Sequence, residues 1–574
     1  MPSPLFSLLT QTARYFKANF VRKTRQVSAV QEQFLRKLLL AHENTELGRE
    51  FGLKDIKTID QFREQIPVLP YSSYEPYITR IAEGEANILT TEPVVYIVLT
   101  SGSTGKKKLV PVTQQTQKYL RLAHLTSLGF LSEALSIRGL ELGKVLLTKS
   151  VQFLGTTSGG INYGSAGSGD LHLNKLLFKQ LFAHPYEVLE ASDSLARHYI
   201  CLLFALRDQS MRGMAGSFPM LILRNCSYLE RYGEELIQDI DKGAIASWLK
   251  LEPELRVKLE RRCWPDPKRA TQLREIFRSE GRLLPKDVWP NLSFVTTSRG
   301  GTSDFYFERF PTYFGDTPEF GAVYAASEAV FSIYPNLNQD GSILAIEAGF
   351  FEFIPEDQWE IERPKTLLAN EVKVGDRYRI LTTNYSGFYR YDIGDVVEVL
   401  GFYEQTPLIV FRHRRGGLLS SITEKTTEFH ATQVMQALQR DFNLSLEDFC
   451  ITLSENNFPA HYLVNIELAP GDTLNNPQVF LTSFDNKLKE IHTSYEVERR
   501  DLVPPPRLRI LAPGSFAILR QRYLQKGMPD CQLKFPHISE DRKFLVDLSV
   551  QSEVRMPQDV DSFEQTMETL KHGN

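Results

Sequence analysis

An apolar run, Val94–Leu99, leads directly into Thr100-Ser101-Gly102-Ser103-Thr104-Gly105-Lys106-Lys107-Lys108. Glycines let a backbone approach a phosphate closely. Successive N–H groups in such a turn form an anion-binding concavity, to which Ser and Thr hydroxyls add donors. Lysines neutralise the charge on phosphate oxygens during transfer. A solvated basic turn has a similar composition, but strand, hydroxyls, two glycines and lysines together favour phosphate binding by Ser101, Gly102, Ser103, Thr104, Gly105, Lys106 and Lys108. The spacing is not that of the P-loop, which needs four residues between its glycines and then Lys-Ser or Lys-Thr. Here two residues separate Gly102 from Gly105, and Lys106 is followed by Lys107. A Ras-like or ATPase mechanism is therefore disfavoured.

Two carboxylates further along could serve the same ligand. Val323-Tyr324-Ala325-Ala326-Ser327-Glu328 follows the stretch Thr297-Ser298-Arg299-Gly300-Gly301. Alone, Ser327-Glu328 reads as a helix N-cap followed by a first-turn acid. Beside bound ATP, Glu328 can hold magnesium, which takes hard carboxylate ligands together with phosphate oxygens. Tyr389-Arg390-Tyr391-Asp392-Ile393-Gly394-Asp395 lies between two expected strands, Tyr378–Thr382 and Val396–Val399. Gly394 is expected to open a turn, and Asp395 can accept hydrogen bonds from both hydroxyls of a ribose or cap that turn.

The elements that must position these residues read as an α/β protein. Helical spacing covers Ala29–His42, Gln114–Ala134, Leu171–Phe182, Glu190–Leu206 and Ile222–Asp241. Short β-rich runs alternate with them at Lys144–Leu147, Ser293–Thr296 and Phe350–Ile354, so sheets buried between helical layers are expected. The texture changes after Phe411, where Gly416-Gly417 can act as a hinge. Beyond it come a helix at Thr427–Phe442, a strand at Tyr462–Glu467 and a helix at Pro477–Thr493. The expected division is a large N-terminal domain, 1–411, and a smaller α+β C-terminal domain, 412–574; 574 residues exceed what one core serves.

Composition excludes several classes. A formal charge of −4 gives no electrostatic footprint for nucleic acid. Five scattered cysteines without a CxxC pair argue against structural zinc or a disulfide framework and fit a reducing cytosol. No apolar run approaches the roughly 20 residues of a membrane-spanning helix. Met1–Gln31 lacks acids and carries Arg14, Lys17, Arg22, Lys23 and Arg25, as an organelle transit peptide can. An amphipathic first helix, with Phe16 and Phe20 turned to a core, is the preferred reading, and a cytoplasmic location is expected.

In this order the three segments resemble the signature motifs of the adenylate-forming superfamily, and the wording is most similar to the auxin-responsive Gretchen Hagen family of acyl-acid amido synthetases. The resemblance extends over Trp289-Pro290-Asn291, Tyr324–Glu328, Phe351-Glu352-Phe353-Ile354-Pro355, Phe388–Asp395, Glu424-Lys425-Thr426-Thr427-Glu428, Gly514-Ser515-Phe516 and Gln532-Leu533-Lys534-Phe535-Pro536. It implies two steps, ATP-dependent formation of an acyl-adenylate and transfer of the acyl group to an amine, typically an amino acid. By matching position it implies Lys534 as a lysine that a mobile C-terminal domain brings to the reacting groups. It implies Arg412 or Arg414 near ribose or hinge, adenine against Tyr324, Ala325, Ala326 and Ser327, and the acid near Ser298, Gly300, Gly301 and the helix at Gln114–Ser127. Ala326, where the plant enzymes usually carry Ser, and Asp392 depart from the family pattern; they mark a divergent member, consistent with a bacterial source, and leave the substrate open more than the ATP chemistry. Competing readings are an acyl-CoA or aryl-CoA ligase, a kinase or ordinary ATPase, and a scaffold of the same fold without activity.

Overall fold

The computed structural model describes residues 4–101, 107–164, 175–301, 303–415, 417–422, 424–455, 457, 459–525, 528, 533–557 and 559. The chain divides into two compact units. One comprises Met1–Ser303, Phe310–Phe411 and Asp530–Gln532; the other comprises Asp304–Arg309, Arg412–Pro529 and Leu533–Asn574.

Three sheets and their covering helices build the larger unit. The first sheet contains β1 (Val94–Ser101), β2 (Lys107–Thr113), β4 (Phe153–Thr156) and β5 (Asn162–Gly164), in the order β2-β1-β5-β4. The second is wholly parallel: β3 (Lys144–Leu147), β6 (Met211–Ala215), β7 (Phe294–Thr296) and β8 (Glu319–Phe320). A parallel sheet needs cover on both faces. The helix Ser194–Arg207 beside it is buried at every position from Ala196 to Leu206 except Phe204. The third sheet has seven strands: β9 (Val323–Ala325), β10 (Val330–Ile333), β11 (Ser342–Leu344), β12 (Phe350–Pro355), β13 (Arg377–Thr383), β14 (Tyr391–Tyr403) and β15 (Thr406–Arg414). Its order is β12-β13-β14-β15-β11-β10-β9.

One core runs from the first helices to this sheet. Phe20, Phe34, Leu38, Phe351, Tyr389 and Tyr391 belong to one buried cluster. The basic N-terminal stretch forms a helix, Pro4–Lys23, that packs on the helix Gln114–Ile137. Arg14 Nη2 donates to Ser132 Oγ at 3.3 Å. The two helices meet where Gly129 exposes its backbone; a Cβ there would sit 2.5 Å from the Ala13 carbonyl oxygen.

Several boundaries differ from those expected. The helix at Ile222–Asp241 is two helices, Pro219–Arg231 and Gly233–Lys242, because Tyr232 leaves helical geometry (φ −110°, ψ 20°). Its ring packs against Tyr199 and Trp248. The helix expected from Glu190 begins at Ser194, capped by the Asp193 side chain. Within Leu171–Phe182 the helix spans Lys175–Leu181; residues 171–174 lie outside the described residues. Tyr391–Tyr403 is a single strand of 13 residues, so Gly394 does not open a turn. With φ +84° it sits in a bulge, where the ladder passes from Arg379↔Val396 to Leu381↔Asp392.

The smaller unit carries β16 (Leu418–Leu419), β17 (Thr426–Thr427) and a four-stranded sheet of β18 (Leu446–Leu453), β19 (Tyr462–Leu468), β20 (Arg507–Leu511) and β21 (Val550–Arg555). The helix expected at Pro477–Thr493 ends at Ile491, and a second begins at Thr493. No helix among the described residues is long and apolar enough to cross a membrane.

Replacing Gly129 by valine forces atoms into backbone of the first helix, a kind of overpacking that costs about 1–3 kcal/mol. Gly129→Val should lower the midpoint of thermal unfolding; an unchanged midpoint would mean the two helices do not pack this closely in solution.

Candidate active site

The lysine-rich segment is the connection of a β-hairpin. β1 and β2 pair antiparallel up to Thr100↔Lys108 and Ser101↔Lys107. The expected nine-residue loop is therefore a five-residue connection, and Gly102, Ser103, Thr104, Gly105 and Lys106 lie outside the described residues. Lys108 is described, with Nζ 5.0 Å over the Tyr71 ring. Tyr71 reinforces the hairpin, because its hydroxyl donates to the Leu109 carbonyl at 3.0 Å and accepts from the Leu109 N–H at 2.8 Å. Burial pushes the Tyr71 hydroxyl up to about 12, and the carboxylates of Glu75 and Glu328 act in the same direction. Glu328 is thus within electrostatic reach of the ring beneath Lys108.

Glu328 does not open a helix. It sits in the tight turn between β9 and β10 that the Ala326 N–H closes on the Ala329 carbonyl at 2.9 Å. It is buried; Oε1 accepts from the Tyr391 hydroxyl at 3.2 Å, and its carbonyl accepts from Asn384 Nδ2 at 3.0 Å. Asp395, also buried, accepts from the Tyr324 hydroxyl at 2.6 Å. Tyr391 and Tyr324 therefore tie the two carboxylates to each other's segments. Tyr324 stacks one ring face on Phe331, with centroids 4.9 Å apart, so that face is not open to a base. Ala325 is exposed, and Ala326 and Ser327 are half-buried.

The segment Ser298–Gly301 leaves the carboxyl end of β7. Ser298 Oγ lies 3.0 Å from Ser303 Oγ. Gly300 and Gly301 have φ of +86° and +60°. A Cβ on Gly300 would fall 2.6 Å from the Phe411 carbonyl oxygen, so glycine is required there. Between Ser298 and these glycines, Arg299 pairs with Asp340 and Glu319.

What holds Tyr389–Asp395 is a buried clamp. Arg390, at φ +45°, donates from Nε to Glu352 Oε2 at 3.0 Å and from Nη2 to Glu352 Oε1 at 3.2 Å. Nη2 also reaches Thr366 Oγ1 at 3.2 Å, and Nη1 reaches the carbonyls of Arg63 and Ile66 at 2.9 and 2.7 Å. The Tyr74 hydroxyl donates to the Tyr389 carbonyl at 2.5 Å and accepts from its N–H at 2.9 Å. Leu69 pairs with Arg390 and Asp392 through its backbone. Tyr71, Tyr74 and the Arg390 clamp were not legible as site residues. The signal for the clamp was the acid of Phe351-Glu352-Phe353, since a charge in an apolar strand needs a partner.

Lys534 and Arg414 belong to the smaller unit. Leu533 and Phe535 are buried on either side of Lys534, and this alternation leaves its side chain exposed. Downstream, the Ile451 N–H donates to the His537 carbonyl at 2.8 Å, and Glu428 Oε1 accepts from the His537 N–H at 2.8 Å. Arg414 ends β15, and the guanidinium of Arg412 lies 5.4 Å over the Phe429 ring. Nearby, Glu424 accepts from the N–H groups of Ser421 and Ile422 and from the Tyr462 hydroxyl, at 2.5, 3.0 and 2.7 Å. The exposed Lys425 that follows takes φ +53°.

Sequence profiles of the GH3 (Gretchen Hagen) family match nearly the whole chain: its N-terminal domain over residues 16–319, its central domain over 342–414 and its C-terminal domain over 429–543. A jasmonoyl–L-amino acid synthetase of Nicotiana attenuata is 30% identical over 542 residues, 89% of this chain and 91% of that protein. An indole-3-acetic acid-amido synthetase of Arabidopsis thaliana is 28% identical, over 90% of this chain and 93% of that protein. Among solved structures, GH3.15 acyl acid amido synthetase shares the fold, with a TM-score of 0.84, 23% identity and coverage of 94% and 97% of the two chains. A 2-hydroxyisobutyryl-CoA ligase in complex with its acyl-AMP gives a TM-score of 0.53 at 13% identity, covering 94% and 91%.

Losing Arg390 alone leaves the Glu352 carboxylate buried without its bidentate partner, which costs about 3–5 kcal/mol. In denaturant unfolding, Arg390→Met should therefore be strongly destabilised, and Arg390→Met/Glu352→Leu should recover much of the loss. Additive single-mutant effects would show that the two charges are not coupled.

Proposed function

The chain belongs to the GH3 family, and from that premise we propose that it activates a carboxylic acid with ATP and passes the acyl group to an amine, most simply that of an amino acid. The observation that carries the reading is the convergence of two buried carboxylates, Glu328 and Asp395, tied together through Tyr391 and Tyr324 in the unit that holds the hairpin. The hairpin itself supports AMP as the leaving product. A P-loop runs from strand into helix and uses the helix N-terminus for its phosphates. Here the connection returns into β2.

In this reading the hairpin connection Ser101–Lys106 and Lys108 hold the β- and γ-phosphates, and Asp395 accepts from the ribose hydroxyls. Adenine lies along Tyr324, Ala325, Ala326 and Ser327. Glu328 fits magnesium: a hard carboxylate, buried and pre-oriented by Tyr391, with phosphate oxygens as the expected co-ligands. The ion would supply charge neutralisation at the phosphates. Ser298, Gly300 and Gly301 border the acid. A carboxylate oxygen attacks the α-phosphorus, and the bond to pyrophosphate breaks. The amine, having lost its proton, then attacks the acyl carbon and expels AMP. Lys534, carried by the C-terminal domain 412–574 with Arg414 at its start, stabilises the charge of the first step. Catalysis rests on positioning and charge.

Pyrophosphate exchange into ATP tests the first step, and release of AMP on adding amino acids tests the second. AMP release stimulated only by CoA would assign the chain to the CoA ligases, and ADP release would overturn adenylation. Asp395→Ala should raise the apparent KM for ATP at least tenfold, because hydrogen bonds to a charged group contribute about 1.5–3 kcal/mol each; unchanged ATP dependence refutes the ribose assignment. Lys534→Ala should slow exchange about a hundredfold without moving the unfolding midpoint, its side chain being exposed. A wild-type rate would give that role to another residue.

A further inference from the structure

Between Ser303 and Phe310 the chain changes units twice. Asp304–Arg309 belong to the smaller unit, although the residues on both sides belong to the larger one. What anchors this short segment is a buried polar cluster in an aromatic setting. The Tyr306 hydroxyl donates to Asp448 Oδ2 at 3.0 Å. Asp448 Oδ1 accepts from the Phe449 N–H at 2.8 Å and lies 3.4 Å from His537 Nε2. On the other side of that ring, His537 Nδ1 lies 3.3 Å from Thr432 Oγ1. Tyr306, Asp448 and His537 are all buried. The His537 ring stacks on Phe449, with centroids 4.1 Å apart, and meets Phe305 at 5.1 Å. Beside the cluster, Arg309 Nη1 donates to Glu447 Oε2 at 2.9 Å. Burial, with the charge of Asp448 second, holds the Tyr306 hydroxyl well above its usual pKa, so it stays a donor.

Resting on the reading of Lys534 as the lysine of the first step, we propose that Tyr306, Asp448 and His537 are positioning residues that fix the segment bearing Lys534. His537 follows Lys534 by three residues, so the cluster grips the chain close to the lysine. Backbone pairing with β18 extends the grip. The Ile451 N–H donates to the His537 carbonyl at 2.8 Å, and the Ser539 N–H donates to the Ile451 carbonyl at 2.9 Å. On the near side, Phe535 packs in a core with Phe516 and Leu519. Lys534 itself is exposed on a flexible four-carbon stem, so the fold can place its ammonium only by placing its backbone. That placement matters, because an error of about 1 Å in the position of a reacting group can cost on the order of a hundredfold in rate. Apolar side chains of similar volume would fill the same space in more than one arrangement. A buried carboxylate with partners from separate segments accepts one. Tyr306 adds a second consequence. It lies three residues beyond Ser303, whose Oγ is 3.0 Å from Ser298 Oγ. Three residues of chain thus join the anchor of the Lys534 segment to the segment that borders the acid in the proposed reading.

Two measurements on the full chain test this. Tyr306→Phe removes the donor and keeps the ring, and Asp448→Asn keeps the shape and removes the charge. Amide hydrogen exchange across Leu533–Ser539 should quicken at least tenfold in both variants, with β19 unchanged. Unaltered exchange in that segment overturns the anchor. Pyrophosphate exchange, with whichever of indole-3-acetate, benzoate or hexanoate the wild type activates fastest, should slow at least fivefold in Tyr306→Phe at an unchanged KM for ATP. Adding Tyr306→Phe to Lys534→Ala should slow it no further, because the group being placed is gone. Losses that multiply, or a KM for ATP that rises with them, assign the cluster to general stability and overturn the proposal. A wild-type rate in a chain whose segment has loosened overturns it as well. Absent pyrophosphate exchange in the wild type would refute adenylation of these acids and with it the role of Lys534, whereas amide exchange would still show whether the cluster holds the segment.

Discussion

The ion pair between Arg390 and Glu352 is the constraint on which the larger unit depends. All five guanidinium donors are engaged, on Glu352, Thr366 and the carbonyls of Arg63 and Ile66. A buried pair of this kind contributes little net stability against an apolar replacement of the same shape. Its effect is geometric. It fixes the chain path at Arg390 in a left-handed backbone conformation that no side chain adopts without compensation. From there the path sets where β14 begins, and with it the position of Tyr391, which reaches Glu328, and of Asp395, which receives Tyr324.

The elements were legible where one physical rule dominates. Val94–Leu99, Lys144–Leu147 and Phe350–Ile354 announce strands because buried sheet favours mostly apolar runs, and Gln114–Ala134 announces a helix by its period, opened by the Thr113 capping box. The failures come from longer-range causes. Ile222–Asp241 keeps helical spacing across a break that ring packing at Tyr232 decides. Gly394 has the same sequence signature in a turn and in a bulge, and only the partner strand β13 distinguishes them. Site residues followed the same division. Glu328 and Asp395 stood out as chemistry-bearing types, whereas Tyr71 and Tyr74 did not. The backbone groups those tyrosines hold are 38 and 315 residues distant, and no local pattern encodes that.

A recurrent device in this unit is a buried tyrosine hydroxyl that serves one backbone residue as both donor and acceptor. Tyr71 does so for Leu109, and Tyr74 for Tyr389. Both belong to the helix Tyr71–Ala82, one turn apart. A single helix face thus registers the hairpin that carries the lysines and the segment that carries Asp395. The raised pKa values of both hydroxyls, driven first by burial, keep them neutral and able to donate across the physiological range.

In the proposed reading, the hairpin also explains why anion binding would call for so many lysines. Where a strand runs into a helix, the helix N-terminus offers aligned N–H groups and about half a positive charge to a phosphate. A strand that turns back into an antiparallel neighbour offers neither, since strand dipoles nearly cancel. Lys106, Lys107 and Lys108 follow the glycines directly in sequence, so side-chain charge can stand in for the missing dipole. Pairing with Thr100 and resting over Tyr71 sets the path of Lys108 before any ligand arrives. In that reading, preorganised charge of this kind costs no rearrangement at the moment of adenylyl transfer, which is where electrostatic catalysis gains most.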